Sequence, residues 1–149
     1  MKLIIDSNET IPLVFEMSDN LNEVVTKKLN VGDYVAEYSD GSRCPIIFER
    51  KGLGDLFGTS TKGYKRFKRE LNRAKTQNIK LILAIEGNVS DVLNGYKYSA
   101  FDGLSMLKKL STMWLKYDLV PMFFDTRESM ATFIREFYEA FGRLYKGKK

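Results

Sequence analysis

The segment Tyr34–Lys51 constrains this chain more than any other. Two strand-like runs, Tyr34–Tyr38 and Ile46–Lys51, flank Ser39-Asp40-Gly41-Ser42. A turn cluster between such runs closes a β-hairpin. On either side of it the pattern switches between strand and helix. Lys2–Ile5 reads as a strand ending at Asp6, and Ser18-Asp19-Asn20 offers N-cap chemistry for a helix over Leu21–Leu29. Basic helical sequence runs from Tyr64 to Thr76. Ile79–Ile85, apolar apart from Lys80, has the composition of a strand covered on both faces. Leu104–Tyr117 predicts a helix with Leu107, Leu110, Trp114 and Tyr117 on its packed face. Leu119–Phe124 follows as a strand, and Thr126 caps a last helix reaching Tyr145. A hairpin set among alternating units predicts an α/β fold, a mixed β-sheet flanked by helices, as one domain over residues 1–149. The tail from Lys146 is expected to fray.

Composition removes several chemistries. The chain has no histidine and one cysteine, Cys44. Ser-His-Asp triads, histidine metal centres, internal disulfides and all-cysteine zinc sites are therefore excluded. What remains is carboxylate, lysine, arginine and tyrosine chemistry, and carboxylates are the ligands of hard cations such as magnesium and manganese. No run approaches the roughly 18–20 apolar residues of a membrane helix. Asp6 also interrupts the N-terminus too early for a secretory signal. A soluble, cytoplasmic protein with no membrane partner is expected.

The charge is unevenly spread. Residues 1–42 carry eight acids against three bases, whereas residues 62–75 carry seven bases and a single acid, Glu70. A basic block beside an acidic segment suits a polyanion partner next to a cation site, although a solvated helix face would show the same composition.

Within Ile47-Phe48-Glu49-Arg50-Lys51, strand alternation puts Glu49 and Lys51 on one face and Arg50 on the other. A hairpin turn centred near Gly41 sets Asp33 opposite Glu49, and a bulge at Pro45 would shift that register by one. Directly paired residues hold their Cβ atoms about 4.5–5.5 Å apart. Two carboxylates that close repel unless a cation lies between them. A divalent ion there would activate water and polarise a phosphate, with Lys51 orienting the water or neutralising developing charge. Glu-x-Lys alone is common, and a solvated Glu–Lys pair on a surface strand would look the same.

A longer pattern is more specific. Gly32-Asp33-Tyr34 followed by Glu49-Arg50-Lys51-Gly52-Leu53-Gly54-Asp55 reproduces the G-D…E-R-K-x-x-x-D signature. It resembles the XPF/Mus/Hef family of structure-specific endonucleases. Ile4-Ile5-Asp6-Ser7-Asn8-Glu9 is similar to that family's opening V-D-x-R-E, and Leu81-Ile82-Leu83-Ala84-Ile85-Glu86-Gly87 to its L-L-I-E-G strand. Pro121–Phe124 and Thr126–Ile134 are similar to its last strand and helix. The resemblance implies a restriction-endonuclease-like, PD-(D/E)xK nuclease that cuts branched, flapped or single-strand-containing DNA with Mg2+ or Mn2+. By position it makes Asp33 and Glu49 metal ligands and Lys51 the catalytic lysine. Arg50 would contact phosphate or brace the site, and Asp55 would hold the strand-to-helix turn. Asp6 would add a carboxylate near the metal, or simply cap its strand end.

Asn8 stands where the family's opening motif usually has Arg. The tandem helix-hairpin-helix domain common in relatives is not expected within these 149 residues, so a separate DNA-targeting protein is a possible partner. The basic stretch would hold the DNA backbone through Lys62, Tyr64, Lys65, Arg66, Arg69 and Arg73, with Lys65, Arg69 and Arg73 as one stripe and Phe67, Leu71 and Ala74 facing inward. The last helix carries more apolar groups than one narrow stripe needs. Phe133, Phe137, Phe141 and Tyr145 therefore belong either to the deep core or to a subunit interface, and the resemblance implies the interface of a homodimer; Phe101 and Trp114 are expected in the core. The alternative function is a catalytically silent DNA-binding or scaffold subunit of the same fold.

Overall fold

The computed structural model describes residues 1–147. The chain runs β1 (Lys2–Asp6), β2 (Glu23–Lys27), β3 (Tyr34–Glu37), β4 (Ile46–Lys51), α1 (Leu53–Thr59), α2 (Tyr64–Thr76), β5 (Lys80–Glu86), α3 (Val89–Leu93), α4 (Gly103–Tyr117), β6 (Val120–Phe124) and α5 (Arg127–Tyr145). The strands form one sheet in the order β2-β1-β3-β4-β5-β6. Strand β3 pairs antiparallel with β1 and β4; the β1–β2, β4–β5 and β5–β6 pairs are parallel. This is the mixed sheet flanked by helices that the sequence predicts. Leu81–Ile85 is buried throughout, as a central parallel strand must be.

Strand alternation assigns the two helical layers. Phe48 meets the rings of Phe133, Phe137 and Tyr138, so that face of β4 packs on α5. Lys51, on the opposite face with Glu49, lies 5.5 Å from the centre of the Phe67 ring on α2. Helix α2 buries Phe67, Leu71 and Ala74, the inward positions expected of it.

Several expectations are corrected. The helix predicted over Leu21–Leu29 is the edge strand β2, paired in parallel with β1. Its centre, Val24-Val25-Thr26, is β-branched and favours strand. The Ser18 capping chemistry is spent on a turn instead: the hydroxyl oxygen accepts from the amides of Asn20 and Leu21. Helix α4 is rotated from its expected phase. It buries Gly103, Met106, Leu110 and Met113, while Trp114 is 48% exposed. Gly103 explains the phase, because a Cβ there would lie 2.3 Å from the Val92 and Leu93 carbonyl oxygens at the end of α3. Lys146, expected to fray, reaches Asp40 at 3.5 Å, and the tail's last two positions, 148 and 149, lie outside the described residues.

The hairpin reaches its register by an unexpected route. Near the loop Glu37 bridges Arg43 and the Cys44 amide donates to the Ala36 carbonyl, so the turn is centred at Asp40 and not at Gly41. Farther along, Tyr34 pairs with Phe48. Extra residues on the β4 side, around Pro45, absorb the difference as a bulge. Tyr138 of α5 fills the opening: its hydroxyl oxygen lies 2.9 Å from the Tyr34 carbonyl oxygen and 2.8 Å from that of Ile46, and its one proton serves both. Tyr138→Phe strips the donor from these carbonyls. It should cost about 1–3 kcal/mol of stability, read as a lower urea midpoint with an unchanged m-value.

Candidate active site

The Tyr34–Phe48 pair leaves Asp33 and Glu49 as the next residues along their strands, on the two sides of one sheet end. Gly32 makes the turn that delivers Asp33. Its φ is +74°, and a Cβ would lie 2.2 Å from Cγ2 of Ile47, so only glycine fits. The Asp33 amide donates to the Phe48 carbonyl at 2.8 Å, and the Asp33 carboxylate accepts from the Arg50 amide at 2.8 Å. Both strands thereby hold this carboxylate.

Glu49 is 5% exposed. One of its oxygens lies 3.2 Å from Lys51 Nζ. The other, Oε1, is buried without a hydrogen-bond partner. Ser60 Oγ, at the end of α1, is the other buried side-chain polar atom without a partner among the described residues. Burial pushes the Glu49 carboxyl well above the usual range, and the charges of Asp33 and Glu70 push it further. Asp33 is raised to about 7, mainly by burial and then by Glu9 and Glu70, against the Arg50 amide and Lys51. Burial alone would lower Lys51, but Glu49, Asp33 and Glu70 outweigh it and hold the ammonium protonated.

An orphaned, buried carboxylate oxygen beside a second destabilised carboxylate is a donor set that fits a hard divalent cation. Among the described residues no three His, Cys, Asp or Glu side chains group closely enough to hold an ion together. Magnesium does not require that, since it is commonly held by one or two carboxylates with water and substrate phosphate.

The pair sits in an open cleft of about 950 Å3. Asp6 lines it, yet its oxygens accept from the backbone amides of Leu29 (2.7 Å) and Asn8 (3.4 Å), so the carboxylate is placed as a strand-end cap. Arg50 faces away from Glu49. It is ion-paired to Glu9 at 2.8 Å and to Glu86, which also binds Arg127 of α5 at 3.0 Å. These contacts assign Arg50 the bracing role, and Tyr34 joins by donating its hydroxyl proton to Glu9 at 2.6 Å. Asp55 does not cap α1: Gly52 is the N-cap, and Asp55 is exposed in the first turn, where its charge still favours the helix.

Of the expected backbone-binding residues, Arg66, Arg69 and Arg73 line the cleft, one turn apart along α2. Lys62, Tyr64 and Lys65 do not line it, so the stripe starts at Arg66 and not at Lys65. Tyr64 instead packs under the ammonium groups of Lys68 and Lys109. Sequence reading passed over Glu70, the single acid of the basic block, which reaches this site from α2. Its helical phase, one turn from Phe67 and Arg73, was the signal available.

On α5, Phe133 and Phe137 pack on Phe48, and Phe141 stacks with Tyr38. Much of the expected interface is therefore core packing. Tyr145 is 68% exposed.

The ERCC4 domain model matches residues 5–137. XPF from Aeropyrum pernix has a TM-score of 0.69 at 18% identity, with 99% of this chain and 68% of that chain covered. XPF from Aeropyrum pernix in complex with DNA gives 0.67 at 20% identity, covering 99% and 66%. These likenesses establish the restriction-endonuclease-like fold. No curated protein matches the chain.

The raised Asp33 carboxyl gives a pH signature. A group whose folded pKa exceeds its unfolded value stabilises the fold below the unfolded value, near 3.8, and that stability is lost as pH rises through about 7. In chelator, Asp33→Asn should melt close to wild type near pH 4. It should melt progressively higher than wild type toward pH 7, as followed by calorimetry across that range.

Proposed function

The chain belongs to the ERCC4 domain family, and on that footing we propose that it is a Mg2+- or Mn2+-dependent endodeoxyribonuclease acting on branched, flapped or single-strand-containing DNA. The observation that carries this reading is the buried, unpartnered oxygen of Glu49 beside Asp33 and Lys51 in an open cleft. Asp33 and Glu49 would hold the ion. When bound, such a cation lends Lewis acidity to a phosphate oxygen and makes nearby water more acidic.

The chain's own groups supply the rest. Lys51, kept protonated by its carboxylate neighbours, faces the same side of β4 as Glu49. It offsets negative charge that develops on the phosphate during attack by water. Arg66, Arg69 and Arg73 present a basic stripe to the same cleft, suited to successive backbone phosphates without reading bases. The DNA-bound state of the Aeropyrum pernix XPF supports DNA as the polyanion. Arg50 keeps the sheet end rigid from the opposite face, and Asp6 closes the neighbouring strand end.

Purified protein should be incubated with labelled flap, fork, single-stranded and duplex DNA in magnesium, manganese or chelator. Cutting is expected only with metal. Asp33→Asn and Glu49→Gln should abolish it while retaining DNA binding. Lys51→Ala should lower the rate about 100-fold or more, as loss of a group aimed at developing charge does, with a smaller effect on binding. Cutting that survives Asp33→Asn or Glu49→Gln refutes the assigned site. Metal-independent binding with no cutting of any substrate would assign the silent scaffold role instead.

A homodimer through α5 belongs to the same reading. Phe133 keeps 37% of its surface exposed, and Leu144 and Tyr145 extend the apolar rim. Light scattering should give twice the chain mass, falling to one chain for Tyr145→Glu with Leu144→Glu; a wild-type monomer at micromolar concentration rejects the dimer.

A further inference from the structure

We propose that Glu70 is a positioning carboxylate of the cation site, using its charge to draw the ion and its bond to Gly32 to set Asp33. The inference rests on the reading of Asp33 and Glu49 as the ion's ligands. Glu70 is carried by α2, between Arg69 and Leu71, in a helix otherwise rich in bases. It nevertheless turns its side chain toward the acidic end of the sheet. Its Oε2 accepts from the Gly32 amide at 2.9 Å. Gly32 immediately precedes Asp33 and, as a glycine held at φ +74°, is free to adopt other backbone shapes, so this bond helps fix the turn that aims the Asp33 carboxylate.

The other oxygen of Glu70 has no protein partner among the described residues, and the side chain lines the cleft. Its charge acts on three neighbours. It opposes ionisation of Asp33 and Glu49 and favours the ammonium of Lys51. A negative group placed against two buried carboxylates, one with an oxygen lacking any partner, is a cost to the metal-free protein. A divalent ion converts that cost into attraction. Among the described residues no three carboxylates are grouped closely enough to share one ion, so beside the Asp33–Glu49 pair Glu70 acts through its field and through Gly32 rather than as a third ligand.

Helix α2 gains a second task from this contact. The helix that presents Arg66, Arg69 and Arg73 to the cleft is tied, through Glu70, to the turn holding Asp33. Arg73 adds a second tie, donating to the Asn30 carbonyl at 3.2 Å.

Glu70→Gln separates charge from scaffold, because its amide oxygen can still accept from Gly32. Glu70→Ala removes both. Mn2+ binding without DNA, by calorimetry and by the electron paramagnetic resonance of free Mn2+, should be compared for wild type, Glu70→Gln, Glu70→Ala and Glu49→Gln. Melting in chelator is measured alongside. Glu70→Gln should weaken Mn2+ about tenfold or more, while its melting temperature in chelator stays level or rises. Glu70→Ala should weaken Mn2+ and also melt lower. Wild-type Mn2+ affinity in Glu70→Gln, with binding lost in Glu49→Gln, overturns the role of Glu70 and leaves the ligand pair intact. A parallel fall in affinity and chelator stability in Glu70→Gln also overturns it, since that is mere deformation. Wild type that binds no Mn2+ overturns the underlying metal reading itself.

Discussion

Two carboxylates held at one buried sheet end repel each other, and much of the molecule exists to keep them there. Glu49 cannot relax into solvent because β4 is flanked by β3 and β5 and covered by helices on both faces. Asp33 cannot swing away because its carboxylate is bonded to the Arg50 amide and its own amide to Phe48. The opposition is maintained by bonds made elsewhere. Tyr138 stops the bulge from opening, Gly32 supplies a backbone shape that other residues resist, and Arg50 ties Glu9 to Glu86 across three segments of chain. Native structures tolerate such local cost where a ligand removes it.

Adjacent cations, Arg50 and Lys51, show how strand alternation divides labour. They are consecutive in the chain, yet they face opposite sides of the sheet. Arg50 is consumed by two carboxylates and serves the fold, as its planar fork suits. Lys51 meets Glu49 at 3.2 Å and keeps a place in the cleft, where a compact charge can answer changes in its neighbours. The sequence places both in one motif; only their surroundings distinguish the cation spent on two carboxylates from the one beside Glu49.

The layers, the sheet and the Asp33–Glu49–Lys51 constellation were legible because each follows from periodicity or alternation within a short window. The Asp33–Glu49 opposition was correct for a partly mistaken reason. The turn centre lies at Asp40, and the bulge near Pro45 restores the register that a turn at Gly41 would have given. Strand β2 was missed because Ser18 offered a capping signal that the chain uses for a turn, while three β-branched residues nearby decided the outcome. The phase of α4 depends on contact between Gly103 and the end of α3, which no local pattern encodes. Glu70 shows only its helical phase in the sequence, and the Glu9–Arg50–Glu86–Arg127 chain shows nothing, because their partners lie tens of residues away.

The proposed function would also couple two classes of charged ligand in one cleft. Its acidic floor would repel a phosphate backbone that the arginines of α2 attract. On the proposed reading a divalent ion held by Asp33 and Glu49 would remove most of that repulsion, so cation and DNA would favour one another at the same site. By linkage the effect is reciprocal: whatever factor the ion adds to DNA affinity, DNA adds to affinity for the ion. Glu70 lies where both influences meet, on the helix that carries the arginines and against the turn that carries Asp33. On that reading the ion would bind by itself and bind more tightly once a phosphate backbone completes its surroundings.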